Sequence, residues 1–226
     1  MYNKTDVQYT GSITRHCMIR AILFFFLLPL IALAQQKPMN KDLIGQFKKN
    51  VSNMAEKTQS ITSNFTQEKE MSMIADKIIS KGQFYFRKER MLRWEYTEPF
   101  SYLIIIRNEQ ISIRDENNVS HFNVSSNKVF LEINRIILGA IQGTLLYDEK
   151  NFSVSFFDSQ TAYIAKLYPT SPKLKSTVSE IVIYFSHKNF SVDKVDMIES
   201  GGDKTRIIFH DRTFNNPISD EKFVVD

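Results

Sequence analysis

Cysteine is almost absent from this chain: one in 226 residues, at position 17. A mature protein that starts beyond it has no disulfide, no thiolate nucleophile, no cysteine metal site and no cysteine to carry a lipid anchor. Six prolines and seven glycines leave no stretch that reads as a flexible linker. Neither sign of charge dominates, with a formal net charge of +4 and no long basic run, so nucleic acid is not an expected partner. The histidines His121, His187 and His210 share no metal-ligand spacing. There is no Gly-x-Ser-x-Gly, no glycine-rich phosphate loop and no readable nucleophile–base pair. No enzyme, metal or cofactor is expected.

Long hydrophobic runs are scarce too. The longest, "AILFFFLLPLIALA" (21–34), contains a proline and falls short of the roughly 20 apolar residues a spanning helix needs. Arg20 precedes it and Ala32-Leu33-Ala34 closes it, the order of a secretory signal peptide cut after Ala34. Residues 1–34 are therefore expected to be leader and signal peptide, with Met18 as the true start and 35–226 as one exported domain. Their removal takes away Lys4, Arg15, Arg20 and Asp6 and leaves a near-neutral +2. About 190 residues bury enough apolar surface to fold without disulfides.

What the chain has in quantity is phenylalanine, 18 of them, set in short alternating segments. Leu43, Ile44, Phe47, Val51 and Met54 form a helical stripe after Asn40, a suitable N-cap. The period then shortens to two through "ITSNFTQEKEM", "GQFYFR", "MLRWEYTE", "SYLIII", "QISIRD" and "SHFNV", the mark of an antiparallel meander. Residues 132–146 return to a helical period with Ile133, Ile136, Ile137, Ala140 and Ile141 on one face, weakened by Gly139 and Gly143. Five more strand-like segments follow. "TSPKLKS" (170–176) reads as a polar loop and Gly201-Gly202 as a hairpin turn. The Asn-x-Ser/Thr triplets at Asn64, Asn118, Asn123, Asn151 and Asn189 read as strand alternation rather than glycan sites. The sum is a mostly β fold, a curved sheet with helices laid on one face. Phe84/Phe86, Leu92/Trp94/Tyr96, Tyr102/Ile104/Ile106 and Ile111/Ile113 make one continuous apolar face across successive strands.

"SNFTQEKE" (63–70), Gly82, "RKERMLRWEYTEP" (87–99) and "LIIIRN" (103–108), followed by a closing segment with Asn-x-Pro and a terminal Asp-x-x-Phe, resemble the LolA periplasmic lipoprotein carriers over most of residues 41–224. That resemblance implies an open, half-closed antiparallel β-barrel whose helices form a lid over an apolar cavity. It implies a monomeric carrier that takes acylated lipoproteins from an inner-membrane ABC transporter through the periplasm to an outer-membrane acceptor. Phe84, Phe86, Leu92, Trp94, Tyr96, Ile104 and Ile106 would line the cavity, and Ile133, Ile136, Ile137 and Ile141 would belong to the lid. The family's gating arginine falls on Lys88, with Arg90 close by, and its Asp-Gly turn on Arg107-Asn108. Lysine lacks the two-pronged guanidinium geometry, so the gate here differs in kind. A carrier of another lipid, glycolipid or lipid-like pigment intermediate is the nearest alternative. A stress sensor would need a further domain, and a lipid hydrolase would need a nucleophile motif.

Overall fold

The computed structural model describes residues 36–73, 76–88, 90–116, 118–123 and 136–225. Asn40 starts the first helix as its side chain allows, its oxygen accepting the Leu43 N–H at 2.9 Å. Helix α1 (Lys41–Lys57) carries Asp42 in its first turn and Lys57 in its last, each complementing the helix dipole. Its stripe buries Phe47 and Val51.

Twelve strands follow the alternation: β1 (Lys37–Pro38), β2 (Ser60–Glu70), β3 (Lys77–Arg87), β4 (Met91–Glu98), β5 (Tyr102–Arg107), β6 (Gln110–Asp115), β7 (Asn118–Asn123), β8 (Phe152–Asp158), β9 (Tyr163–Pro169), β10 (Val178–Phe185), β11 (Val192–Glu199) and β12 (Lys204–Phe214). They make one antiparallel sheet in the order β1-β8-β9-β10-β11-β12-β2-β3-β4-β5-β6-β7. Among the described residues its two edge strands do not pair, so the sheet curls without closing, as the half-barrel expectation requires. The long β2–β12 pairing, from Lys204↔Glu70 to Phe214↔Ile61, joins the two halves of the chain.

Residues 136–141 are helical (α2) and lead into a 3-10 turn at Thr144–Tyr147. Ile133, expected in the same helix, lies outside the described residues. Two local expectations shift. The β5–β6 turn consists of Asn108 and Glu109, with φ of 49° and 69°, one residue later than the Arg107-Asn108 reading. Within "TSPKLKS" the chain makes a short helix, α3 (Pro172–Lys175), because Ser171 caps it, Pro172 presets its first turn and Leu174 is buried beneath it.

Three apolar clusters hold these elements. Phe47 and Val51 of α1 pack with Phe152, Phe156, Leu167, Ile181 and Phe185 on β8–β10. Phe65, Phe84, Phe86, Leu92, Trp94, Ile106 and Ile111 form a second cluster on β2–β6. A third lies on the opposite side of β4 and β5, where Met91, Leu103 and Ile105 are covered by Phe223, Ile218 and Val225 of the C-terminal segment. That segment is strapped down by polar contacts. Arg87 donates to the Ile218 carbonyl at 2.9 Å and to Asp220 at 2.6 Å, and Asn215 accepts the Gln59 N–H at 2.7 Å.

Candidate functional site

Register turns the apolar face into rows. The first runs Ile61, Phe86, Leu92, Ile106, Ile111, Phe122 across β2 to β7, and the second Ser63, Phe84, Trp94, Ile104, Ile113, Ser120. The third runs Phe65, Gly82, Tyr96, Tyr102, Asp115, Asn118. The face therefore changes along the strands from a wholly apolar row, through one flanked by serines, to one that carries phenols and a carboxylate. Gly82 makes the middle possible. A Cβ there would stand 1.9 Å from the Glu95 carbonyl oxygen and 2.7 Å from the Phe65 ring, so only glycine lets that ring lie over β3. Phe65 then meets Trp94 at 4.6 Å between ring centres, and Phe84 meets Trp94 edge-on at 5.4 Å.

All seven residues expected along the cavity lie on this face, and Trp94 is only 5% exposed. Among the described residues its indole N–H has no hydrogen-bond partner. The Tyr96 hydroxyl donates to Gln67 Oε1 at 3.0 Å. Burial raises the pKa of both Tyr96 and Tyr102, and Asp115 adds to the effect on Tyr102, so both rings remain neutral phenols.

The helices lie over this face. Ile137 and Ile141 of α2 pack on the Trp94 cluster, whereas Ile136 and Ala140 pack on the cluster beneath α1, so α2 straddles the two. Gly139 and Gly143, which the sequence suggests loosen this element, are sites of close approach. A Cβ on Gly139 would stand 2.8 Å from Leu145 Cγ. Gly143 has φ +69° and leaves 2.6 Å between such a Cβ and Val51 Cγ1 of α1. At the seam between helices and sheet remains a cavity of about 40 Å³, whose lining includes Val51, Met54, Phe84, Ile141, Phe209 and Arg212. Its size suits a water molecule rather than an acyl chain, so the trough is closed in this conformation.

Lys88 stands where the β3–β4 hairpin reaches the end of α1. Its backbone N–H donates to the Gln59 carbonyl at 2.7 Å and its ammonium to the Glu56 carbonyl at 3.1 Å. It thus satisfies one of the carbonyls a helix leaves free in its last turn. Among the described residues this ammonium supplies the hydrogen bond between the body of α1 and the sheet. Arg90, at φ 64°, turns away and pairs with Glu109 at 3.2 Å. Sequence reasoning did not find Arg212. A bulge in β12 between His210 and Thr213 swings it to the cavity mouth, where it donates to the Val192 carbonyl and Ser191 Oγ and pairs with Asp193. Bulges leave little trace in an alternating pattern.

The histidines take separate local partners: His121 with Ser112, His187 with Asp158 and His210 with Thr66. Among the described residues no three His, Cys, Asp or Glu side chains gather to hold a metal.

The family model for the outer membrane lipoprotein carrier protein LolA matches residues 56–226. The chain belongs to the LolA family. Its sequence matches no curated protein. Solved structures similar to this LolA-family chain include a DUF1329 family protein from Desulfovibrio piger, with 12% identity, 80% of this chain and 97% of that one covered, and a TM-score of 0.45. A LolA superfamily protein from Nitrosomonas europaea has 9% identity, coverage of 80% and 97%, and a TM-score of 0.41. The lipoprotein LppX of Mycobacterium tuberculosis has 9% identity, coverage of 80% and 99%, and a TM-score of 0.48.

Proposed function

We propose that this LolA-family chain is a non-enzymatic, exported periplasmic carrier that shelters the acyl chains of lipoproteins in the trough between the sheet and helices α1 and α2. The observation that carries the reading is the pair of apolar rows through Leu92 and Trp94, continuous over the four strands β3–β6 and roofed by α2. An acyl methylene costs about 0.8 kcal/mol in water, so a chain of about fifteen methylenes costs on the order of 12 kcal/mol and needs a shelter of this extent. Loading then requires the roof to lift, since the closed cavity of about 40 Å³ admits no chain. Lys88, which ties the hairpin to α1, serves as the catch. Release needs a partner or membrane that offers the chains an equally apolar place. An inner-membrane ABC transporter would supply the cargo and an outer-membrane acceptor would receive it.

The test is to express the chain with its leader, recover it from the periplasm and identify bound molecules by native mass spectrometry. Acylated lipoproteins in the trough support the proposal. A different acyl lipid moves the cargo but keeps the trough. An empty protein that also fails to draw lipoproteins from spheroplasts refutes the carrier reading and makes the apolar face a core.

A further inference from the structure

At its third row the apolar face ends beside a notch. Strand β3 continues past the end of β4: Lys77–Ser80 pair with β2, whereas the β4 ladder reaches only Lys81↔Glu98. The space left there has a volume of about 390 Å³, within the range of small-molecule sites. Tyr96, Tyr102, Phe100, Glu98, Asp115 and Glu116 line it. The two phenol rings lie 6.3 Å apart at 57°, and Phe100 stands at the rim, 75% exposed. Glu98 is paired with Lys81 at 2.9 Å, whereas Asp115 and Glu116 meet no cation among the described residues.

Aromatic faces beside uncompensated carboxylates attract an ammonium group and repel an anion. The position narrows the ligand further. Tyr96, Tyr102 and Asp115 form the third row of the face whose first two rows are apolar. A molecule with its chains along those rows would set their polar root in the notch. There Gln67 and Ser80 also reach the lining and offer polar groups beside the Tyr96 hydroxyl.

We infer that the notch binds an ammonium group attached to acyl chains, from either an amine-bearing lipid or a lipidated N-terminus whose amine is free. The inference rests on the carrier reading and adds the chemistry of the cargo's polar end. Tyr96 and Tyr102 supply the aromatic rings and Asp115 and Glu116 the countercharge.

Trp94 is the sole tryptophan, so its emission reports occupancy of the trough directly. Lysophosphatidylethanolamine and lysophosphatidylglycerol of equal chain length, each below its aggregation concentration, are titrated into the full chain and into the double variant Asp115→Asn, Glu116→Gln. The expected result is about tenfold tighter binding of the ethanolamine lipid, with the preference removed in the double variant by weakening of that lipid alone. Equal affinities in the parent chain, or a preference that survives the double variant, overturn the ammonium site and leave the carrier reading standing. A gap that closes only because the glycerol lipid binds better also overturns it, since that is long-range repulsion. Failure of both lipids to bind removes the carrier reading and the inference together. Once the preference is established, a diacylated cysteine peptide with a free or an acetylated α-amine separates the two sources. Affinity lost on acetylation assigns the lipidated N-terminus, and affinity unchanged by it assigns the amine-bearing lipid.

Discussion

Replacing Lys88 with alanine removes one ammonium–carbonyl hydrogen bond, Nζ to the Glu56 oxygen at 3.1 Å, and one positive charge at the C-terminal end of α1. A cation at an exposed helix C-terminus is worth about 0.3–1 kcal/mol. If that energy belongs to the closed arrangement alone, its loss raises the open population between about two- and fivefold. Apparent affinity for an acyl lipid rises by the same factor, because binding draws only on the open form. A loss of this size lowers Tm by about 1–4 °C in a chain of this length. Lys88→Arg keeps the charge and a donor and should stay near the parent in both measures. Trp94 emission during titration with a lysolipid gives the affinity, and hydrogen exchange over residues 52–58 reports fraying of the helix end. Lys88→Ala with faster exchange but unchanged affinity would separate the end of α1 from loading and refute the catch. Weaker binding in the alanine variant would do the same from the other direction, by making Lys88 part of the bound state.

Other perturbations test the packing. Gly143→Ala forces a side chain into a left-handed backbone and against Val51, and should cost at least the roughly 1–2 kcal/mol of that backbone conformation. Gly45→Ala, in the middle of α1 with nothing within 4 Å, should instead stabilise by about 0.5–1 kcal/mol. Urea midpoints of the two variants should move in opposite directions, and a shared sign would contradict the packing described for Gly143. Phe223→Ala empties the centre of the third cluster and should cost about 3–5 kcal/mol, with faster hydrogen exchange at Leu103 and Ile105. Burial and then the Asp196 carboxylate raise the pKa of Tyr184 from 10 to about 12. The folded state therefore holds this proton more tightly than the unfolded state. Its contribution is complete below about pH 10 and is lost as pH rises toward about 12. Tyr184→Phe should flatten the fall in stability between those limits, read from denaturant midpoints at stepped pH.

Where one face alone is buried, alternation gave the strands away. Leu92, Trp94 and Tyr96 could be assigned to one side, and the rows across β3–β6 followed. The helix at Asn40 was equally plain, because the cap and the stripe agree. The third cluster was not anticipated, although "LIII" at 103–106 carried the signal. A short uninterrupted apolar run marks a strand buried on both faces, and the second cover comes from residues more than a hundred positions away. Glycine was misleading at positions 139 and 143, since the same residue that loosens an isolated helix also permits close approach between packed elements. The notch was invisible for a related reason. It exists because β3 outruns β4, and strand length relative to a neighbour is a property of pairing rather than of either segment.

The β2–β12 ladder has a consequence for how the molecule is made. Strand β2 is among the first elements to be synthesised and β12 nearly the last, with His210 meeting Asn64 across 146 residues. Contacts of such separation are slow to form, because the chain must close a long loop before they reward it. A chain interrupted before Lys204 would hold two partial sheets, each with a bare inner edge open to neighbouring chains. The last strand to arrive is thus the one that unites them, and the assembly pathway, like the mature trough, depends on covering backbone and apolar surface that water alone leaves exposed.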